Sequence, residues 1–321
     1  MTQQTKIYFA PFQGITTHTF RNVYSEHFKG VDKIFTPYFA DIAVGTKLPP
    51  KKRIALKNQF ENTTEVIPQI LSKNADEIIW FAHQCKQLGF KELNWNLGCP
   101  YPQVINKKRG SGLLPYPEMV DEILEKVMSE IEILFSIKCR LGHFSMDEMN
   151  ALIPVFNNYS ISELTIHART GKQMYLGQTD LDAFAAFAPQ FRFPVVYNGD
   201  ILCLEDYYQF KNRFPQISHL MIGRGILKDP FLPARIKGLT LPIDPKAQIS
   251  RFIETLYLAY QKEKNDHLTL LNVMKEYWTY LASSFDEPTK IFRKLKKCKT
   301  FDEYENAVKT IFEENNWIQS K

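Results

Sequence analysis

The sequence predicts an α/β fold, a (β/α)8 TIM barrel, followed by an all-helical segment. Short apolar runs recur along residues 7–222, and each is followed by a polar or glycine-bearing loop and then by a helical pattern. Eight such runs match the strand number of a TIM barrel. A doubly wound parallel sheet is the main alternative. It is disfavoured because no Gly-x-Gly-x-x-Gly motif opens a helix.

The predicted strands are short, mostly apolar runs that end at glycine, proline or polar residues. In chain order they are Ile7–Ala10, Ile34–Tyr38, Val66–Leu71, Glu92–Asn96, Phe135–Arg140, Glu163–His167, Val195–Asn198 and His219–Ile222. Helical periodicity between the strands predicts helices at Asp76–Leu88, Pro117–Met128 and Asp147–Asn157.

The pattern changes after Pro230. From about Pro245 onwards only helical periodicity remains, with further prolines at Pro242 and Pro288. The helices predicted there are Ala247–Gln261, Thr269–Ser283, Thr289–Lys297 and Phe301–Glu313. The sequence therefore predicts two domains, a barrel over residues 1–240 and a helical domain over residues 241–321.

The composition, with 44% hydrophobic and 23% charged residues, is typical of a soluble globular protein. No run reaches the ~18 apolar residues that a membrane helix needs, and the first residues lack the apolar core of a secretory signal. We therefore expect a cytoplasmic protein, a monomer, without a membrane partner. The five cysteines form no Cys-x-x-Cys pair, which argues against disulfides and against a metal site. The net charge of +5 permits a polyanionic partner.

Polar and cationic side chains end most of the predicted strands. In a TIM barrel these ends converge on the face that carries the active site. Side chains alternate along a strand, so Lys138 and Arg140 share a face while Cys139 points the other way. The converging residues are Gln69, Asn96, Cys99, Lys138, Arg140, His167, Arg169, Asn198 and Arg224. Any one of them could be an ordinary solvated or capping residue, but together they predict a cationic site.

Glycines after the last two strands indicate a phosphate site. Gly199 and the segment Gly223-Arg224-Gly225 lie where a TIM barrel usually binds phosphate. Glycine lets backbone N–H groups approach phosphate oxygens, and arginine supplies a permanently charged donor. A phosphorylated ligand is therefore predicted. Lys138 could alternatively be the Schiff-base lysine of an aldolase, but the acid–base carboxylates which that chemistry requires are nearly absent from this rim.

Six short motifs follow one another along the barrel segment. They are Ala10-Pro11-Phe12-Gln13-Gly14, Asn96-Leu97-Gly98-Cys99-Pro100, Lys138-Cys139-Arg140-Leu141-Gly142, His167-Ala168-Arg169-Thr170, Asn198-Gly199-Asp200 and Met221-Ile222-Gly223-Arg224-Gly225. Together they resemble the tRNA-dihydrouridine synthases, flavoenzymes with an FMN-bearing barrel and a C-terminal helical domain. The resemblance spans residues 7–232, and its specific part is the second motif followed by Arg109-Gly110-Ser111-Gly112.

The resemblance implies a role for each matching residue. Cys99 would be the catalytic acid, and Asn96, Arg140 and Arg169 would surround the substrate. FMN would be held by Pro11, Phe12, Gln13, Gln69, Lys138, His167, Asn198, Gly199, Asp200, Gly223 and Arg224. The implied reaction is reduction of the C5=C6 bond of a uridine in tRNA to 5,6-dihydrouridine, with NADPH or NADH as electron donor.

The implied chemistry is physically coherent. Hydride from N5 of reduced FMN would add to C6 of uracil, and Cys99 would give a proton to C5, since a thiol with a pKa of about 8.5 is mostly protonated at neutral pH. The small residues of Arg109–Gly112 predict a mobile loop that lets Cys99 move in once RNA is bound. The sequence departs from many family members at Gln13 and Asn94, where they have Glu and Asp.

A basic run predicts where tRNA binds. Residues 290–299 include six basic residues and no acidic one, and on a helix Lys290, Arg293, Lys294 and Lys297 share a face. An ordinary solvated helix face is the alternative. Basic clusters at residues 51–53 and 107–109 could continue the RNA track.

Two other functions remain open from the sequence. One is an FMN barrel reductase of a small enone or pyrimidine, which would leave the basic run unexplained. The other is a tRNA-binding or chaperone protein whose flavin chemistry is incidental.

Overall fold

The computed structural model describes residues 4–56, 64–263 and 267–318, and within these ranges the strands form one parallel barrel sheet. The strands are β1 Lys6–Phe9, β2 Lys33–Phe35, β3 Glu65–Ile67, β4 Gln69–Ile70, β5 Glu92–Leu97, β6 Leu134–Arg140, β7 Leu164–His167, β8 Val195–Asn198 and β9 His219–Ile222. Their order in the sheet is β3-β2-β1-β9-β8-β7-β6-β5-β4. Going around the sheet, the strands follow their order in the chain, with β1 beside β9 and the consecutive strands β3 and β4 at the two ends. This order confirms the predicted barrel and excludes the doubly wound alternative, in which the strand order reverses.

The barrel closes at Pro68, which divides the predicted strand Val66–Leu71 into β3 and β4. Proline has no N–H to donate to the strand ladder, so the pairing changes partner there. Thr36 joins the two halves: its N–H donates to the Ile67 carbonyl, and its hydroxyl accepts from the Gln69 N–H at 3.0 Å. The first and last strands of the sheet are thus consecutive in the chain.

Helices surround the barrel and continue beyond it. They are α1 His18–His27, α2 Pro50–Ala55, α3 Ala75–Gln87, α4 Pro102–Ile105, α5 Pro117–Glu130, α6 Glu148–Asn157, α7 Leu181–Phe187, α8 Leu204–Arg213, α9 Arg224–Lys228, α10 Leu232–Ile236, α11 Pro245–Glu263, α12 His267–Leu281, α13 Pro288–Lys297 and α14 Phe301–Glu314. Each helix predicted above is confirmed, with ends within two residues of those predicted. Local capping explains this agreement: Thr300 and Glu303 form a capping box at α14, for example.

Helices α11 and α12 pack against the barrel through an aromatic cluster. The ring centre of Phe252 on α11 lies 6.0 Å from that of Phe20 on α1 and 4.9 Å from that of Phe28, the residue directly after α1. Tyr277 of α12 contacts Phe20 at 5.4 Å. This contact brings α12 to the edge of the barrel mouth. Within the described ranges, no helix has both the length and the apolar character needed to cross a membrane.

Candidate active site

A cavity of about 460 Å³ opens at the carboxyl ends of the strands. Its volume is within the range of small-molecule and cofactor sites. The predicted site residues that line it are Pro11, Phe12, Gln13, Gln69, Asn96, Cys99, Lys138, Arg140, His167, Asn198, Gly199, Asp200, Gly223 and Arg224. The fold therefore brings together nearly all the residues that the motifs singled out in the barrel.

Arg169 is the exception among the barrel residues, because its guanidinium supports the wall from behind. Arg169 is buried and donates hydrogen bonds to the Asp200 carboxylate and to the Gly177 carbonyl. Asp200 also accepts from Arg224 at 2.5 Å. Although burial opposes it, the two arginines lower the pKa of Asp200, so its carboxylate stays charged and holds both guanidinium groups in place.

Two glycines make the wall beside Arg224 thin. A Cβ on Gly199 would lie 1.9 Å from the Tyr197 hydroxyl oxygen, and one on Gly223 would lie 2.9 Å from Cε2 of Phe12. Any side chain at either position would displace its neighbours. A thin backbone wall next to a guanidinium is an arrangement that suits phosphate.

The centre of the cavity is electropositive. Burial, followed by the charge of Arg140, lowers the pKa of Lys138 to about 8. Burial and the surrounding cations Arg140 and Lys138 also lower the pKa of His167 well below its ordinary value. Cations in such a site destabilise one another, and an anionic ligand relieves that repulsion. The donor set thus fits an anionic, hydrogen-bonding cofactor such as FMN.

Cys99 lies on a loop held from both sides. The Asn96 side-chain oxygen accepts from the Gly98 and Cys99 N–H groups at 3.0 and 2.9 Å. The Cys99 carbonyl accepts from the Ser111 N–H at 3.0 Å and from the Ser111 hydroxyl at 3.2 Å. Arg140 donates to the Gly98 carbonyl at 2.8 Å. These bonds give the Cys99 backbone a defined position at the cavity wall.

The segment Arg109–Gly112, for which the small residues predict a mobile loop, lies against the Cys99 loop. Gly110–Leu113 is a buried 3₁₀ turn. Gly110 has φ +56°, and a Cβ there would lie 2.6 Å from the Cys99 carbonyl oxygen. Glycine is required because the turn packs directly against Cys99. The small residues therefore allow close packing of this segment.

The Cys99 thiol lies in surroundings that favour its protonated form. Burial raises its pKa, while hydrogen bonds from the Tyr101 N–H and the Tyr38 hydroxyl and the charge of Arg140 oppose that rise. Cys139 faces away from the cavity into the core, as strand alternation predicted, and burial raises its pKa to about 12. The parity prediction for β6 is confirmed.

Five further residues that the sequence analysis did not identify line the cavity. They are Tyr38, Tyr101, Tyr175, Glu276 and Tyr280. Tyr38 ends a predicted strand and Tyr101 directly follows the motif Asn96–Pro100, so their positions in the sequence could have suggested them. Tyr175 lies under the Arg140 and Arg224 guanidinium groups at 5.3 and 5.7 Å.

Glu276 and Tyr280 come from α12, outside the barrel. Tyr280 packs edge-on against Phe12, with ring centres 5.8 Å apart. Burial raises the pKa of Glu276, whose carboxylate lies 3.2 Å from the position that a Cβ on Gly14 would occupy. Helical periodicity identified this helix but gave no signal that one of its faces completes the cavity.

The predicted basic face of α13 is exposed. Ile291 and Leu295 are buried and turn the opposite face to the core. The side chains left on the surface include Lys290, Arg293, Lys294 and Lys297. Lys290 pairs with Glu287 of the preceding turn at 2.7 Å.

The two other basic clusters are partly used within the fold. Lys52 donates to the Ala40 carbonyl at 2.7 Å, and Arg109 pairs with Asp41 at 2.7 Å. Both cations thereby hold the loop that follows β2.

Comparisons with known proteins show the family to which the chain belongs. The chain matches the family Dihydrouridine synthase (Dus) over residues 8–316. It is 27% identical to tRNA-dihydrouridine synthase B of Pasteurella multocida, covering 90% of this chain and 87% of that protein. It is 25% identical to tRNA-dihydrouridine(16) synthase of Neisseria meningitidis serogroup B, covering 98% and 97%.

Solved structures share the fold. Morphinone reductase in complex with tetrahydroNAD superposes with a TM-score of 0.53 at 9% identity, covering 76% of this chain and 90% of that chain. Histamine dehydrogenase from Rhizobium sp. 4-9 has a TM-score of 0.52 at 13% identity, covering 78% and 49%. Since the family match extends across the barrel, the cavity residues and the C-terminal helices, the chain belongs to the dihydrouridine synthase family.

Proposed function

We propose that this protein reduces the C5=C6 bond of a uridine in tRNA to 5,6-dihydrouridine, with FMN as cofactor and NADPH or NADH as electron donor. The observation that carries the proposal is one cavity lined by the Cys99 thiol, the Lys138 side chain and the glycine wall beside Arg224. The full-length match to proteins named tRNA-dihydrouridine synthases supports tRNA as the substrate.

The residues of the cavity divide into two groups around FMN. Arg224, the Gly199 and Gly223 backbone, Asn198 and His167 would hold the phosphate end, with Asp200 and Arg169 keeping Arg224 in place. Pro11, Phe12 and Gln13 would lie along the ring system, with Gln69 and Lys138 at its polar edge. When bound and reduced, FMN supplies a hydride to C6 of uracil.

The protein's own side chains complete the reaction. Negative charge develops on C5 and on the C4 oxygen of uracil as C6 is reduced, and Asn96, Arg140 and Lys138 can stabilise that charge. Cys99 transfers its proton to C5, which restores a neutral base. Arg140 already donates to three backbone carbonyls, so it enters the reaction pre-positioned.

The substrate base must leave the RNA stack to reach this cavity. Tyr101, Tyr175 and Tyr280 give the mouth an aromatic wall on which a pyrimidine can stack. The helical segment, residues 241–321, would hold the tRNA through its phosphates, with the basic face of α13 as part of the contact. A small-molecule reductase, the alternative from the sequence, leaves this basic face without a role.

The cofactor assignment is tested by comparing FMN with riboflavin, which lacks the phosphate. We expect purified protein to be yellow, and Arg224→Ala to weaken FMN binding by about 2–3 kcal/mol because a charge-assisted phosphate contact is lost. Riboflavin binding should change little in that variant. Arg213→Ala is the matched control, because this guanidinium on α8 is exposed, pairs with Asp182 and does not line the cavity. Protein that stays colourless after incubation with FMN contradicts the cofactor assignment.

The reaction is tested on its substrate. Mass spectrometric mapping of tRNA from a strain lacking this protein should show a uridine where the parent strain has dihydrouridine. Purified protein with NADPH or NADH should restore the modification. Identical maps in the two strains, together with no turnover of that tRNA in vitro, would contradict the proposed reaction.

A further inference from the structure

A chain of hydrogen bonds runs through the barrel interior from the cavity to the opposite end of β5. Asn96 Nδ2 donates to Gln69 Oε1 at 2.7 Å, and Gln69 Nε2 donates to Asn94 Oδ1 at 2.7 Å. Asn94 Nδ2 donates to the Ser136 hydroxyl at 2.9 Å, and that hydroxyl donates to Glu92. All five side chains are buried. TIM barrel interiors are usually filled by branched apolar residues, so a row of five buried polar side chains is unusual there.

Strand alternation and register produce the arrangement. Glu92, Asn94 and Asn96 are every second residue of β5, so they share the inward face. Gln69 is paired with Asn94 on one side, and Ser136 is paired with Asn94 on the other. Glu92 therefore lies roughly 13 Å along the strand from Asn96, given a rise of about 3.3 Å per residue.

The direction of every bond is determined by the two ends. Backbone N–H groups of Gly98 and Cys99 can only donate, so the Asn96 atom facing them is its oxygen and the Asn96 nitrogen faces Gln69. In turn, Gln69 must present its oxygen to Asn96 and its nitrogen to Asn94, and Asn94 must present its nitrogen to the Ser136 hydroxyl. At the far end Glu92 accepts from Ser136 with one oxygen and from Lys33 with the other, at 2.7 Å. Because the Ser136 hydroxyl accepts from Asn94, its own proton must go to an acceptor, and the Glu92 carboxylate is that acceptor.

We propose that Glu92 is a positioning residue, which acts through Ser136, Asn94 and Gln69 to orient the Asn96 amide and so hold the Cys99 loop. This inference rests on the proposed role of Cys99 as the acid. If the chain is interrupted, the downstream amides can rotate, and a rotated Asn96 would present N–H groups to the N–H groups of Gly98 and Cys99. The loop would then move, and the buried thiol would become more accessible.

The same logic predicts a rescue. An aspartate at position 94 can only accept, so it would anchor Gln69 directly and make Ser136 and Glu92 unnecessary for the orientation of Asn96. Asn94→Asp should therefore restore the position of Cys99 in the Ser136→Ala variant. A residue that merely stabilises the fold would not be rescued in this way.

The test uses Ser136→Ala, which leaves the Glu92–Lys33 ion pair intact, and Asn94→Ala as a second interruption in case either variant fails to fold. The readouts are the rate of Cys99 alkylation by iodoacetamide, resolved by peptide mass spectrometry, and amide hydrogen exchange in residues 97–101. Each interruption should accelerate both by about 2- to 10-fold, the range for loss of one neutral hydrogen bond. Ser136→Ala combined with Asn94→Asp should return both to wild-type rates.

Thr165→Ala is the matched control, because Thr165 is a buried hydroxyl residue on β7 outside this chain of bonds. Equal effects of Ser136→Ala and Thr165→Ala, or failure of Asn94→Asp to restore the rates, would overturn the proposal. Both readouts work on FMN-free protein without tRNA. They therefore remain informative if the proposed reaction itself proves wrong.

Discussion

Two buried thiols, those of Cys99 and Cys139, have different surroundings although they lie on neighbouring segments. Cys99 is at the cavity wall beside Tyr38 and Arg140, whereas Cys139 is in the core between β6 and the outer helices. Only a thiol at the wall can reach a bound base. At the scale of single residues, location separates the proposed acid from a packing cysteine.

We predict that Cys99→Ala retains FMN and its reduction by a nicotinamide but loses uridine reduction. Removing a general acid costs about 10²- to 10⁴-fold in the step that needs it. Stopped-flow measurement of the two half-reactions checks this. Cys139→Ala is the control and should reduce tRNA at the wild-type rate, and a Cys99→Ala enzyme with the normal RNA-dependent rate would remove Cys99 from the mechanism.

The protonation of Cys99 gives a second prediction. Because burial raises the thiol pKa, the acid form persists to higher pH, and the thiolate should appear only above the ordinary value of about 8.5. Below the raised pKa the proton is available, and above it the RNA-dependent rate should decline. The difference in ultraviolet thiolate absorbance between wild-type and Cys99→Ala apoprotein measures this titration directly. A midpoint below that ordinary value would contradict the prediction.

At the scale of elements, α12 and α13 contribute to different surfaces, α12 to the cavity and α13 to the solvent-exposed basic face. Helix α12 delivers Glu276 and Tyr280 to the cavity, and α13 buries Ile291 and Leu295 while its basic side chains face solvent. A helix that is amphipathic in this way exposes its charge as a continuous stripe. Such a stripe suits phosphate contacts outside the barrel.

The basic face of α13 is tested by Lys294→Ala combined with Lys297→Ala. We expect weaker tRNA binding and a plot of log K against log salt concentration that is flatter by about one to two units, since fewer counterions are released. Reduction of FMN by a nicotinamide should not change. Lys86→Ala combined with Lys91→Ala removes the same charge at the amino-terminal side of β5, away from the cavity. If both double variants bind tRNA alike, α13 is an ordinary solvated helix.

At the scale of the whole molecule, the aromatic cluster between α1 and α11 determines where the helical segment sits. Phe252 contacts Phe20, Tyr24 and Phe28, and all four rings are buried. The same packing places α12 at the barrel mouth. If the packing of Phe252 is lost, α12 should also lose its position, and with it Glu276 and Tyr280 of the cavity wall.

We predict that Phe252→Ala lowers the free energy of unfolding by about 3–5 kcal/mol, as expected for truncating a buried phenylalanine. It should also weaken FMN-dependent tRNA reduction, because Glu276 and Tyr280 lose their position. Leu258→Ala, on the exposed side of α11, should change stability by less than about 0.5 kcal/mol. Denaturant unfolding of both variants measures the difference, and equal losses would contradict this account of the interface.

Most of the fold could be predicted because its signals are local. Apolar runs identified the strands, capping residues and periodicity identified the helices, and alternation placed Cys139 in the core and Lys138 at the cavity. A barrel then gathers all strand ends on one face, so residues far apart in the chain could be assigned to one site without knowing any contact. Only Pro68 required the structure to show that one predicted strand is two.

The remaining features depend on contacts that no local pattern encodes. Strand alternation places Arg169 on the same side as His167. Its guanidinium nevertheless lies behind the cavity wall, because it donates hydrogen bonds to Asp200 on a neighbouring loop. Glu276 reaches the cavity because aromatic packing against α1 sets the position of α12. Glu92 is linked to Cys99 because register places Gln69, Asn94 and Ser136 side by side. Periodicity along the sequence reports which face of an element is buried, whereas the partner that it meets is decided by packing and register between elements.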